Sequence, residues 1–333
     1  MTTRPEWVDA FNTSHSLDLL ASSRACWDSI QDAPNGRLYR RRSVLDSVRL
    51  RTSAEVVGVE CYSNAVTYPA QSTITVVVDG AVVAEITPSV GVVSTTEVSI
   101  GAGANKLVEI YEGAQDVSLA GAWLRRVFVP SGAPLGNLAV VAPSRRMVVF
   151  GDSKACGFLV RPNVQSWNAL ARATFPGRIT TVAHGGLALA SESLPSMADY
   201  LIGACDAATN QIWIDVTFND WFGAAGDGIP GWTAAAFEAK MQSLLTTLRA
   251  SPKVGTIYCI GTIVSSYDGD VNMNGDTLAD FRAACAAASS GRATYVDATV
   301  SGWPTLADLS DGVHENPTGY VKYATQFKST VGY

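Results

Sequence analysis

The 333-residue chain is short of charge: Asp, Glu, Lys and Arg make up 16% of it, against 47% hydrophobic residues, and the net charge is -6. Binding a nucleic-acid backbone needs clustered Lys and Arg. The one basic run, Arg40-Arg41-Arg42, reads as a solvated turn or strand edge, so no nucleic-acid partner is expected. Long apolar runs are missing too. None approaches the ~18 residues of a membrane span, and the opening "MTTRPEWVDAFNTSHS" lacks the apolar centre of a secretory signal. As written, the chain reads as cytoplasmic, or as secreted if a signal has been removed.

Metal-ligand spacing is also absent. The six cysteines include no CxxC pair and no Cys/His cluster of the kind that holds zinc, so buried free thiols are expected, with a disulfide the alternative that the even count leaves open. The polar run "YDGDVNMNGD", with Asp268, Asp270, Asn272, Asn274 and Asp276, lacks the spaced bidentate glutamate of a calcium loop. It reads as a connection between a strand and a helix. Neither metal nor cofactor is implied.

What is present divides into two kinds of grammar. Residues 44–129 read as short strands, and in "STITVVVDGAVVAEI" Asp79-Gly80 separates two β-branched runs, a hairpin signal. Several short strands at this spacing predict a β-sandwich of jelly-roll type. Ahead of them, "PEWVDAFN" reads as a short helix. "PSGAPLGNLAVVAPSRR", residues 130–146, holds three prolines and two glycines and reads as a linker. The expected domains are residues 1–135 and 136–333.

From residue 147 strand-like runs alternate with helical ones. "MVVF", "RITTVA", "QIWIDVTF", "VGTIYCIGTI" and "ATYVDA" are the strands. In "TAAAFEAKMQSLLTTLRA", Phe237, Met241, Leu244, Leu245 and Leu248 fall at helical spacing, a core stripe. A last helix begins at "NPTGY", with Pro317 near its start. Strand–helix alternation predicts a parallel sheet between helical layers, and such sheets gather their sites at the carboxyl ends of the strands.

That edge collects four polar or glycine-bearing stretches: Gly151-Asp152-Ser153, His184-Gly185-Gly186, Asn219-Asp220-Trp221, and "SDGVHENPTGY". A serine hydroxyl becomes a nucleophile only with a base to take its proton, and the base needs an orienting acceptor. The chain has three histidines, His15, His184 and His314. His314 follows Asp311 by three residues, a spacing that lets the carboxylate accept the second ring N–H. Acyl transfer also needs donors for the developing oxyanion. Available are the Ser153 N–H at an expected helix start, an N–H of the Gly185-Gly186 turn, and the Asn219 amide. Trp221, Phe222, Trp232 and Trp303 flank these stretches, and aromatic faces suit sugar rings or acyl chains. His184, Trp221 and Trp303 are the candidate substrate-lining residues; the alternatives are a polar loop side chain for His184 and core or rim packing for the two tryptophans.

Taken together, "FGDSKACGF", "VAHGGLAL", "TFND" and "DGVH", in that order, resemble the four blocks of the SGNH (GDSL-type) hydrolases. The resemblance implies a flavodoxin-like three-layer α/β/α domain. It implies Ser153 as nucleophile, His314 as base and Asp311 as its orienter, with Ser153, Gly186 and Asn219 forming the oxyanion hole; Gly185 and Ala188 are alternative alignments for Gly186. Thr217 stands where the family usually has glycine. A β-sandwich ahead of such a domain, with Cys156-Gly157-Phe158 after the serine, resembles the family-2 carbohydrate esterases. Many of those lack the last-block aspartate, which is Asp311 here. That likeness implies an acetylesterase acting on an acetylated carbohydrate. The alternatives are a short-chain carboxylesterase acting on small acyl esters and a non-catalytic carbohydrate-binding module.

Overall fold

In the computed structural model the chain divides into two compact units, Met1–Ala142 with Arg161–Val164 and Pro143–Val160 with Gln165–Tyr333. Residues 7–9, 47–63, 73–111, 122–130, 133, 135–136, 145–159, 165–175, 178–183, 185–190, 194–205, 210–223 and 232–333 are described. Arg40–Arg42, Cys26, His15 and His184 lie outside them.

The first unit is built of antiparallel strands. One sheet runs β1 (Trp7–Asp9), β8 (Ala122–Pro130), β3 (Val56–Ser63), β6 (Ser94–Ser99). The other runs β5 (Ala81–Ile86), β4 (Ile74–Val78), β7 (Lys106–Tyr111), β2 (Ser47–Thr52), β9 (Leu135–Gly136). Val57, Val59 and Leu124 of the first sheet share one buried cluster with Leu50, Val76 and Ile110 of the second. This is the face-to-face packing of a β-sandwich.

The Asp79-Gly80 turn joins β4 to β5 with both residues at positive φ, 47° and 85°. That is the twist-matched geometry the pair of residues favours. One sequence expectation fails here. Trp7–Asp9, inside the expected helix "PEWVDAFN", is a strand paired with Phe128–Pro130, because the edge of β8 offers its backbone partners. Leu135–Gly136, inside the expected linker, pairs with Arg51 and Thr52 of β2.

The second unit has a five-stranded parallel sheet in the order β11 (Arg178–Ala183), β10 (Arg146–Gly151), β12 (Asn210–Asp215), β13 (Val254–Gly261), β14 (Thr294–Asp297). In order of appearance this is 2-1-3-4-5, the flavodoxin-like winding, which reverses between β10 and β12. Side chains alternate across the sheet. Ile212 and Ile214 join the cluster that holds Met197 and Leu201 of α2 (Leu194–Ala204), Phe237 and Met241 of α4 (Ala234–Ala250), and Phe281 of α5 (Leu278–Ser289). Trp213 faces the other way. It meets Trp167 of α1 (Trp167–Thr174) and Tyr323 and Phe327 of α6 (Pro317–Val331).

Helix boundaries follow capping chemistry. Ser166, Thr233 and Asn316 accept backbone N–H groups at the starts of α1, α4 and α6, and Thr277 and Asp280 form a capping box on α5. The stripe Phe237, Met241, Leu244, Leu245 and Leu248 is buried. The expected strand "QIWIDVTF" stops early. Val216 turns the chain and Thr217–Phe222 forms a short helix, α3.

Candidate active site

Ser153 stands just past the carboxyl end of β10, at the point where the strand order reverses. Gly151 makes the exit tight: a Cβ there would lie 2.6 Å from the Ala155 Cβ. The following residues coil without forming an α-helix. Cys156 donates to the Asp152 carbonyl (3.1 Å), Gly157 to Lys154 (3.1 Å) and Phe158 to Ser153 (3.0 Å), an irregular set of spans. Gly157 and Leu159, at φ 71° and 64°, are left-handed and end any helical run. The helix expected directly behind Ser153 is therefore a turn, and α1 begins at Trp167.

The Ser153 Oγ lies 2.8 Å from the His314 Nε2, and the His314 Nδ1 lies 2.8 Å from the Asp311 Oδ2. The second Asp311 oxygen accepts the N–H groups of Val313 (3.0 Å) and His314 (2.8 Å). Partial burial would raise the Asp311 pKa. The bonds from the His314 ring and backbone outweigh it and hold the carboxyl well below its ordinary range. An ionised Asp311 fixes the proton on Nδ1 and leaves Nε2 as acceptor for the serine hydroxyl. The loop is anchored from both sides. Ser266 donates through its N–H to the Gly312 carbonyl (2.8 Å), and Asn316 donates to Asp308 (2.8 Å). Gly312 has φ 85°, and a Cβ there would strike the Ser266 hydroxyl.

Asn219 sits in α3. Its Nδ2 donates to the Asp152 Oδ2 and to the Leu187 carbonyl, each at 3.1 Å. Asp152 is buried and uses its other oxygen to accept the Lys154 N–H (2.9 Å). Gly186, at φ 73°, lies in the turn just before Leu187. That turn is tied to α3 a second time. The buried Asp220 carboxylate accepts the N–H groups of Leu189 (2.9 Å) and Ala190 (2.8 Å). Burial pushes the Asp220 pKa up to about 7 against the pull of those two donors. Thr217 places its hydroxyl 3.4 Å from the Ile260 carbonyl on β13. The Thr217 side chain thus bonds inward to the sheet.

Beneath these groups lie two buried ionisable residues, Lys154 and Glu315. Lys154 is 1% exposed, donates to the Thr262 hydroxyl (3.1 Å) and lies 4.8 Å from the centre of the Phe218 ring. Glu315 is fully buried, and neither oxygen has a hydrogen-bond partner among the described residues. Burial pushes its pKa up to about 8, with the Lys154 charge opposing. No local pattern marks a glutamate between a histidine and a capping asparagine as buried. For Asp220 there was a signal, its place in "TFND". Cys156, Cys205, Cys259 and Cys285 are buried free thiols, and burial raises the Cys156 pKa.

Ser153, His314, Asp311 and Asn219 are thus gathered at one sheet edge, with the Gly186 turn tied to Asn219. Two candidate substrate residues are not open. Trp221 is 3% exposed and its indole N–H donates to the Asp276 carbonyl (2.9 Å). Trp303 is 4% exposed and packs edge-on against Tyr323 at 5.1 Å. Both rings are committed to packing. Phe222 is 47% exposed and has the open face. His184 is outside the described residues. The acidic loop is committed as well: Asp268 pairs with Arg282 (2.7 Å) and Asp276 accepts the Ala234 N–H (2.9 Å). No helix among the described residues is long and apolar enough to cross a membrane.

No family model and no curated protein matches the sequence. Solved structures match by shape. A salicylyl-acyltransferase, SsfX3, from a tetracycline biosynthetic pathway has a TM-score of 0.68 at 18% identity, covering 99% of this chain and 91% of that one. A family-two carbohydrate esterase from Cellvibrio japonicus has 0.62 at 16%, covering 87% and 89%. An acetyl xylan esterase from the rumen bacterium Butyrivibrio proteoclasticus has 0.59 at 12%, covering 88% and 94%. At these identities the likeness is one of fold. The parallel α/β/α domain has the fold that the four sequence blocks imply, and the β-rich domain precedes it in the chain.

Proposed function

We propose that this chain is a serine esterase that removes O-acetyl groups from a carbohydrate. The observation that carries the reading is the unbroken chain Ser153 Oγ–His314 Nε2 and His314 Nδ1–Asp311 Oδ2, each step 2.8 Å. The carbohydrate and the acetyl group are drawn from the esterases that share the two-domain fold.

In this reading the Ser153 Oγ bonds to the acetyl carbon while its proton passes to the His314 Nε2. The Asp311 carboxylate faces the imidazolium that forms. The tetrahedral oxyanion is received by the N–H groups of Ser153 and Gly186 and by the Asn219 amide. Both hydrogens of that amide are engaged by Asp152 and Leu187 at rest, so one turns to the oxyanion as charge develops. His314 then protonates the departing sugar oxygen and the acetyl–serine ester remains. Water adds to it, gives its proton to His314, and acetate leaves as the Ser153 hydroxyl is restored.

A second reading differs only in the acceptor. The salicylyl-acyltransferase that covers nearly the whole chain favours delivery of the acyl group to an alcohol instead of water. The two part in one experiment: acetate release from acetylated glycans, with and without an added alcohol acceptor. Acetate as sole product supports the hydrolase, and an acetylated acceptor supports transfer. A preference for octanoate over acetate esters would refute the acetyl specificity and favour a different carboxylesterase. Ser153→Ala should fold normally and turn over nothing. A Ser153→Ala protein as active as the parent would sink the nucleophile assignment. Failure of a fluorophosphonate probe to label Ser153 would favour the non-catalytic module.

A further inference from the structure

We infer that Phe158 is a positioning residue whose ring walls the His314 imidazole onto the line joining Ser153 to Asp311. The inference rests on the reading of His314 as the general base.

Three observations converge on Phe158. Its ring lies against the imidazole, with centroids 4.5 Å apart and planes tilted by 46°. That is contact distance for an aromatic pair. An imidazole bonded at both nitrogens can still rock about the line between its two partners. A flat apolar wall on one face opposes that motion.

The backbone of Phe158 is pinned at both of its polar groups, and the two pins lead to the two halves of the triad. Its N–H donates to the Ser153 carbonyl at 3.0 Å. Its carbonyl accepts the Tyr320 hydroxyl at 3.1 Å. Tyr320 is fully buried on α6, the helix that begins three residues after His314. Phe158 thus spans the nucleophile turn and the base loop.

The local backbone is also strained around this one residue. Gly157 and Leu159 are both left-handed, φ 71° and 64°. Glycine takes that conformation freely, whereas leucine does so against its Cβ. The Leu159 side chain is 36% exposed. What the conformation achieves is the turn that delivers Phe158 between the two pins. An observed outlier of this kind beside reacting groups is a reason to look for function.

The test compares Phe158→Leu, which keeps apolar bulk but loses the flat ring, with Phe158→Tyr, which keeps the ring. Kinetics with p-nitrophenyl acetate should show kcat falling about tenfold in Phe158→Leu with KM within about twofold, as expected when a catalytic group is displaced. Phe158→Tyr should keep most of the parent kcat. The second readout needs no turnover. In long-range 1H–15N spectra of the histidine rings, with His314→Gln for assignment, the parent and Phe158→Tyr should show the single Nδ1–H tautomer. Phe158→Leu should show a mixed or exchange-broadened pattern. If Phe158→Leu keeps both the parent kcat and the single tautomer, or if Phe158→Tyr is as impaired as Phe158→Leu, the inference is overturned. If the parent has no Ser153-dependent activity, the esterase reading fails, and the ring spectra still decide whether Phe158 holds His314.

Discussion

Asn219 and Asp152 are joined side chain to side chain, Nδ2 to Oδ2 at 3.1 Å, across the gap between the β12 and β10 connections. An amide has two faces that differ only in O and N, and a carboxylate accepts from N alone. Asp152, together with the Leu187 carbonyl, therefore fixes which end of Asn219 is the donor. Asp152→Ala should lower kcat by about ten- to a hundredfold with a smaller effect on KM, and Asn219→Ala by about 10²–10³, the cost of one oxyanion donor. Steady-state kinetics on an acetyl ester check both. Equal kcat in Asp152→Ala and the parent would show that Asn219 orients without it.

In the proposed triad Asp311 sets the tautomer of His314. Asp311→Asn keeps the shape but supplies an N–H where His314 needs an acceptor. The ring proton then favours Nε2, where it blocks the serine. A kcat loss of about 10³–10⁴ is expected, with the thermal midpoint little changed because this side chain is 40% exposed. Since the folded carboxyl is held below its ordinary range, its stabilising contribution is present above the unfolded value near 4. It fades only as pH falls further. Loss of more than a few degrees at neutral pH would mean that Asp311 is chiefly structural.

Local chemistry explains what could be read from the chain. Asp79-Gly80 announced its turn because two adjacent residues must both take positive φ. Asp311 and His314 could be paired because a three-residue spacing closes a hydrogen-bonded loop without help from elsewhere. The α4 stripe could be read because burial on a helix repeats every turn. What escaped depended on partners far along the chain. "VTF" has strand propensity, yet Thr217–Phe222 is helical and held by a bond from the Thr217 hydroxyl to the Ile260 carbonyl and by the Leu189 and Ala190 N–H groups donating to Asp220. Trp221 and Trp303 neighbour the motifs, and the sequence alone leaves both substrate lining and core packing open to them. Their burial is set by Asp276, 55 positions away from Trp221, and by Tyr323. Nothing local to Lys154 or Glu315 distinguishes them from solvated residues.

Gly151 is a close-approach glycine, not a conformational one. Gly151→Ala places a methyl 2.6 Å from the Ala155 Cβ and 3.3 Å from the Asp215 carbonyl, with backbone and a buried helix-like turn as the obstacles. Overpacking of this kind costs about 1–3 kcal/mol. The displaced turn carries Ser153, so activity should fall by more than the stability loss alone explains. Urea unfolding and kcat measured on the same preparation would separate the two. A variant as stable and as active as the parent would mean that the turn yields freely.

Glu315 predicts a pH dependence of stability. In the unfolded chain it gives up its proton near pH 4.5, and in the folded protein burial holds the proton to about 8. Between those values the native state carries the extra proton. Stability is therefore fully present below about pH 4.5 and is lost as pH rises toward 8, by at most about 1.4 kcal/mol per pH unit for this one group. Glu315→Gln keeps the size and removes the titration. The variant should match the parent near pH 5 and exceed it in urea midpoint near pH 8. Asp215, whose pKa burial raises to about 6, and Asp220 keep a residual slope in both proteins. Parallel curves for parent and variant across this range would mean that Glu315 is ionised in the native state. Its charge would then have to be balanced beneath the site, and Lys154 is the basic group whose charge acts on it.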